Sequence, residues 1–154
     1  MPTLQIFVWK LCHASLTTRA NLRYRGMQIE PTWPHSNEKT ESIEHLFWGC
    51  QAAQQVWQLT NNHNWAAISV SYRPHVTMQS WITSIRQPNR RILDRVVAFL
   101  WSLWKTRNNK IFRNETPNVV IMLLRAKKAS EEWCIWYDQK WFFSNSLKRN
   151  QFNH

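Results

Sequence analysis

At 154 residues the chain has the length of one domain, and such a domain buries roughly 68–70% of the surface that its unfolded chain exposes. Twenty Lys and Arg against nine Asp and Glu give a formal net charge of +11, which favours polyanions as partners. Three widely spaced cysteines argue against a secreted disulfide framework, and two glycines disfavour a phosphate-cradling loop. Without a leader or an apolar run of roughly 18 residues, we expect an intracellular protein, nuclear or cytoplasmic, that meets no membrane.

Apolar residues recur at three- and four-residue steps in the first third of the chain, which predicts helices. The first helix covers residues 4–14, and the second begins after the N-cap candidates Thr17 and Thr18 and stops at Gly26. Pro31 and Pro34 then predict a polar, mobile loop over residues 30–39. A third helix follows residue 50, with one apolar face formed by Ala52, Ala53, Val56 and Trp57.

The second half of the chain is dominated by two long helical patterns. A loop over residues 61–75 and a short amphipathic segment around Trp81 precede the first of them, which runs from residue 89 to 112. Its apolar positions are Ile92, Leu93, Val96, Val97, Leu100, Trp101, Trp104, Ile111 and Phe112. Thr116 as N-cap and Pro117 in the first turn predict the second, over residues 117–141. Its buried side is expected to carry Val120, Leu123, Leu124, the stem of Lys127, Trp133 and Trp136.

The fold class that follows is all-α. We expect an irregular helical domain over residues 1–143, with a loop-rich segment near its start and a C-terminal antiparallel pair of long helices. One part spans residues 1–60 and a helical part spans 76–143, while the polar tail over 144–154 is expected to be flexible.

Two stretches, FVWKLCHASLTTRANL and ESIEHLFWGCQAAQQVW, share an order of residues with a known family. The matching positions are Trp9, His13, Leu16, Thr18, Asn21, Leu22, Glu41, Ser42, His45, Leu46, Phe47, Cys50, Val56 and Trp57. The chain therefore resembles the zinc-binding reverse transcriptase domain of plant non-LTR (LINE-type) retrotransposons, and FLWSLWKTRNNKIF resembles the segment that follows this domain. None of the family's catalytic modules is recognisable, so we expect an excised fragment or a separate gene descended from one.

The resemblance implies a zinc site, but the chain departs from the family at the first ligand pair. His45 and Cys50 retain the second pair, whereas Trp33-Pro34-His35-Ser36 stands where the family has Cys-Pro-x-Cys. An indole cannot bind zinc and a hydroxyl binds it poorly, so we expect no cofactor and a degenerate site of low occupancy. Two alternatives stay open: His35 as a third ligand, and recruitment of Cys12 or His13 from the first helix. Without metal, Cys50 would be a small buried apolar residue and His45 a capping or hydrogen-bonded one.

The sequence offers no paired catalytic groups, so we expect a non-catalytic domain and set a small hydrolase aside. The function that we predict is weak, sequence-independent binding of RNA or DNA through phosphate contacts. The predicted contacts lie at the ends of two helices: Arg19, Arg23, Arg25, Lys105, Arg107, Lys110 and Arg113. Trp101 and Trp104 are expected in the core, and Trp33 and Trp65 are the candidates for base stacking. The alternative is a vestigial or protein-interaction domain whose basic faces are merely solvated, with protein partners that the sequence does not identify.

Overall fold

The computed structural model describes residues 2–33, 36–62, 77–86 and 90–134. Within these ranges the chain forms helices α1 (Pro2–Cys12), α2 (Arg19–Tyr24), α3 (Gln51–Asn62), α4 (Met78–Arg86) and α5 (Arg90–Arg113), and residues 119–134 are also helical and are called α6. The all-α class is thereby confirmed. The predicted tail, Trp65, His35, and the end of the last helix with Trp136 lie outside the described residues. No described helix combines the length and the apolar character that a membrane crossing requires.

The first two helices follow their sequence patterns closely. Leu4, Phe7 and Leu11 of α1 recur at helical spacing and are all buried, with 4% exposure or less. Thr18 is the N-cap of α2, and its hydroxyl accepts the Asn21 backbone N–H at 3.3 Å. Gly26 follows the helix with φ +88°, a left-handed conformation that glycine adopts without strain.

Two short strands that pair as a β-hairpin lie in the region predicted as a loop over residues 30–39. Strand β1 (Thr32–Trp33) pairs antiparallel with β2 (Ser36–Thr40), with Thr32 opposite Thr40 and an irregularity before Trp33. A π-helical turn (His45–Gly49) then leads into α3, and Cys50 N–H closes it by donating to the His45 carbonyl at 2.8 Å. The prolines indicated irregular backbone correctly, but the prediction of an unpaired loop was wrong.

Helix α5 lies at the centre of the core. Val96, Phe99 and Leu100 are completely buried, and the Phe99 ring packs 4.2 Å from that of Trp57 in α3. One continuous apolar cluster includes side chains from α1, the π-helical turn, α3, α4, α5 and α6. The residues before position 60 and those after position 76 therefore share a single core. Trp101 and Trp104 pack half-buried against it, as the sequence predicts.

Helix α6 packs antiparallel on α5, as predicted. The Ser102 hydroxyl donates to the Met122 carbonyl at 2.7 Å, and Trp133 Nε1–H donates to Asp94 Oδ1 at 3.0 Å. The predicted N-cap was wrong, because the Asn118 side chain, rather than Thr116, accepts the N–H of Ile121 at 3.1 Å.

The buried face of α6 also differs from the prediction. Val120 and Leu124 are each 60% exposed, and the buried residues are Met122, Ala126, Ala129 and Ser130. The small side chains among these allow α6 to approach α5 closely, so Val120, Ile121 and Leu124 face outward. Trp133 packs half-buried against the core, as predicted.

This assignment of faces predicts that two truncations in α6 affect stability to very different extents. Met122→Ala removes a side chain with 1% exposure and should lower the free energy of unfolding by about 2–5 kcal/mol. Leu124→Ala, the matched control, should change it by no more than about 0.5 kcal/mol. Urea denaturation followed by circular dichroism measures both. An equally large effect of Leu124→Ala would show that the helix is rotated.

Candidate nucleic-acid interface and metal-ligand remnants

A buried ion pair joins the two parts of the chain where α2, the hairpin and α5 meet. Glu41 has no exposed surface and Arg107 has 5%. The Arg107 guanidinium binds both carboxylate oxygens, through Nε–H to Oε1 and through Nη2–H to Oε2 at 2.8 Å. Nη2 also donates to the Thr17 carbonyl at 3.2 Å, and the guanidinium carbon lies 4.9 Å from the centre of the Trp104 ring.

The same carboxylate organises the start of α2. The Arg19 backbone N–H donates to Glu41 Oε2 at 3.0 Å, and Arg19 Nε lies 4.0 Å from that oxygen. Arg19 Nη1 donates at 3.4 Å to the carbonyls of Glu30 and Thr32, so this side chain also holds the entry to the hairpin. Its side chain keeps 28% exposure.

These contacts correct part of the predicted phosphate-binding set. Arg107 is buried and its guanidinium is engaged by Glu41 and Thr17, so no phosphate can reach it in this fold. Arg19, also predicted as a phosphate contact, is largely engaged by the protein itself. Both arginines position secondary structure. We therefore remove Arg107 from the candidate interface and give Arg19 no part in it.

The other five predicted cations remain at the surface or near it. Arg23 and Arg25 are exposed at the end of α2, and neither forms an ion pair within the described part of the chain. Near the end of α5, Lys105 is exposed beside Trp101, Lys110 is half-buried with Nζ donating to Asn114, and Arg113 is exposed 3.8 Å from Glu115. Because Arg107 contacts Thr17 and Glu41, the last turns of α5 lie beside the start of α2.

The two residues predicted as the remaining metal-ligand pair, His45 and Cys50, lie at the start of the π-helical turn and directly after it. Cys50 is 6% exposed; its thiol donates to the Leu46 carbonyl at 3.5 Å and accepts the Ala53 N–H at 3.4 Å. Burial raises the pKa of the Cys50 thiol, and zinc coordination would require this thiol to lose its proton. His45 is half-buried, and its ring lies so close to Gly49 that a Cβ there would come within 3.0 Å of Nδ1.

No third ligand is assembled beside this pair in the described part of the chain. His13 is exposed at the end of α1, stacked on Trp9 with ring centres 4.4 Å apart, and burial raises the pKa of the neighbouring Cys12 thiol. Among the described residues, no three His, Cys, Asp or Glu side chains are grouped as metal ligands would be. His35 lies outside those residues. The described donors therefore do not fit a tetrahedral zinc site.

Sequence reasoning missed two features of this region. Glu41 and Arg107 were noted as positions within motifs, but not as partners. They are 66 residues apart, so no pattern of neighbouring residues in the sequence indicates their contact. Tyr24 was overlooked as an aromatic candidate, although it is 93% exposed between Arg23 and Arg25. An aromatic residue between two arginines at a helix end was the available signal. The side chain of Trp33, which was predicted to be available for stacking, lies outside the described part.

Comparison with known families agrees with the resemblance seen in the sequence over the first part of the chain. Residues 1–57 match the family described as zinc-binding in reverse transcriptase. The matched segment contains α1, α2, the hairpin, the π-helical turn and the first half of α3, and it ends well before α5. Comparisons with curated proteins and with solved structures gave no match.

The buried ion pair yields the first prediction from this site. Glu41→Gln leaves the Arg107 charge buried without its partner, which should lower the free energy of unfolding by about 3–5 kcal/mol. Glu115→Gln, the matched control, breaks a pair whose side chains are 70% and 50% exposed, and it should cost no more than about 1 kcal/mol. Chemical denaturation of the two variants measures the difference, and equal small effects would contradict the assigned role of Glu41.

The second prediction concerns zinc. Because Trp33 and Ser36 stand at the positions of the first ligand pair and the described residues bring no third ligand beside His45 and Cys50, the purified chain should carry well under one zinc, and a chelator should leave its helix content unchanged. Elemental analysis and circular dichroism provide the two measurements. The destabilisation caused by Cys50→Ala should be the same with and without added zinc. One tightly held zinc per chain, lost together with the helical signal, would show that the site has been rebuilt.

Proposed function

We propose that this chain is a non-catalytic domain that binds nucleic acid without sequence preference, through phosphate contacts of its exposed cations. The observation that carries the proposal is a set of solvent-accessible cations on a chain with a formal charge of +11: Arg23 and Arg25 at the end of α2, and Lys105, Lys110 and Arg113 in the last turns of α5. Cations that lack a base-reading element contact the backbone alone, which supplies affinity without specificity.

The proposed origin is a LINE-type retrotransposon of the kind found in plants. The family match over residues 1–57 supports a reverse transcriptase zinc-binding ancestor, and the Trp-Lys-x-Arg-Asn segment of α5 supports the LINE-type assignment beyond the matched residues. Trp33 and Ser36 stand where that ancestor would have two cysteines. We propose that the domain is degenerate and folds without metal, because the Glu41 network and the apolar core already connect its elements.

A protein-interaction role is the second candidate, and one observation favours it. Val120, Ile121 and Leu124 are adjacent on the outer face of α6 and are between 52% and 60% exposed. Contiguous apolar residues on a helix surface are typical of protein contacts. Substituting Leu124 with Lys and measuring the oligomeric state and solubility of the chain would test this role.

The principal test is a salt-dependent titration of a fluorescent single-stranded RNA of mixed sequence. If five cations each neutralise one phosphate, the slope of log affinity against log salt should be about −3.5. The double variant Arg23→Gln/Arg25→Gln should reduce the magnitude of that slope by about 1.4. Lys127→Gln/Lys128→Gln is the matched control, since it removes the same charge from α6, and its effect on the slope should be smaller.

The possible results separate the candidate functions. RNAs of unrelated sequence should bind about equally if only the backbone is contacted. Absence of binding at low salt, or a strong sequence preference that survives high salt, would contradict the proposed function. Equal effects of the two double variants would show that net charge, rather than the surface at the ends of α2 and α5, determines affinity.

A further inference from the structure

Tyr24 is the most exposed large aromatic side chain in the described part of the chain, with 93% of its surface in contact with solvent. It is the last residue of α2, and both sequence neighbours, Arg23 and Arg25, are exposed cations. Exposed aromatic rings accompanied by cations bind single-stranded nucleic acid in other proteins, because bases stack on the ring while the cations meet the phosphates.

The backbone beneath Tyr24 is held in place from both ends of α2. At its start, the Asn21 side-chain amide donates to the carbonyls of Ala14 at 3.0 Å and Leu16 at 2.8 Å, in addition to the Thr18 cap. At its end, Gly26 N–H donates to Arg23 O at 2.9 Å and Met27 N–H to Leu22 O at 3.1 Å. The backbone that carries the Tyr24 ring is thus fixed by hydrogen bonds at both ends of α2, so little backbone freedom is lost when a ligand binds.

An open groove of about 500 Å³ lies next to this helix end. It is lined by Arg23, Gly26, Met27, Gln28, Ile29 and Glu30. Gly26 has no side chain to fill it, and a Cβ at that position would meet no atom within 4 Å. The volume falls in the range of roughly 300–1,000 Å³ typical of small-ligand sites and can accommodate a nucleobase.

The chemistry of the lining favours a base over a phosphate. Met27 and Ile29 offer apolar surface, Gln28 offers an amide that can both donate and accept hydrogen bonds, and the carboxylate of Glu30 repels an anion. Arg23 also lines the groove, so the phosphates next to a bound base would meet the exposed guanidinium groups of Arg23 and Arg25.

We propose that Tyr24 and the adjacent groove form a base-stacking site for single-stranded nucleic acid, with Arg23 and Arg25 on the flanking phosphates. This inference rests on the proposed function, and it adds a preference for single strands over duplex. The faces of paired bases are stacked on one another inside a duplex, so Tyr24 has access to a base face only where the strand is unpaired.

The test compares three variants with a single-stranded RNA 12-mer, the DNA 12-mer of the same sequence, and the matching RNA duplex. Tyr24→Leu removes the π face and should weaken binding to both single strands by about 5- to 150-fold while leaving duplex affinity unchanged. Tyr24→Phe keeps the π face and should bind within about twofold of the unmodified chain. Phe112→Leu is the matched control, since it alters another exposed aromatic residue, 78% exposed, and should have no effect.

The salt dependence separates this inference from the proposed function. Tyr24→Leu removes no charge, so its slope of log affinity against log salt should equal that of the unmodified chain. If Tyr24→Leu binds single strands normally while Arg23→Gln/Arg25→Gln weakens them, the stacking site is disproved and the phosphate-binding function stands. Tighter binding to duplex than to single strand would also overturn the stacking site. If the unmodified chain binds neither nucleic acid at low salt, both proposals fail.

Discussion

The arrangement of this domain depends on one buried carboxylate. Glu41 receives two hydrogen bonds from the Arg107 guanidinium and one from the backbone of Arg19, and it is fully removed from solvent. Bringing an ion pair out of water costs several kcal/mol per ion, so such a pair does not necessarily raise stability above that of an apolar substitute. Its contribution is geometric: only one placement of α5 against α2 satisfies both charges. The surface at the ends of these helices has a defined shape for that reason.

The pairing also separates the structural cations from the cations that remain available to a ligand. Arg107 and Arg19 were attractive as phosphate contacts because they belong to basic helix ends, yet the protein uses both internally. A charge count cannot make this distinction, since an arginine bound to a buried carboxylate and one in solvent contribute equally to +11. The exposed arginines at positions 23 and 25 depend on the buried pair indirectly, because the pair fixes the helix that carries them.

The parts of the fold that could be predicted are those where one local pattern determines the outcome. The apolar positions of α5 recur over many turns, which identifies a long helix. The limits of α2 are set by residues close in sequence, an N-cap threonine before the helix and a glycine after it. The prediction of the buried face of α6 was partly wrong because it assumed that the most hydrophobic residues are buried. Close packing against α5 instead places the small residues Ala126, Ala129 and Ser130 on the buried face. The strands β1 and β2 were not predicted because they are short and mostly polar. The Glu41 contact could not be inferred, since pairing across 66 residues depends on the tertiary fold.

The position of Glu41 bears on how a segment related to a zinc-binding family can hold its shape. Its side chain binds α2 and α5, its backbone N–H donates to the Pro31 carbonyl at 2.8 Å, and its carbonyl accepts the Ala20 N–H at 3.3 Å. One residue therefore links the first turn of α2, the entry to the hairpin and the central helix, and linking such elements is what a structural metal ion does in a small domain. A chain with this network and a core shared across both its parts has less need of a metal to order residues 27–45. A fold held in this way tolerates Trp33 and Ser36 at the positions where that family has cysteines.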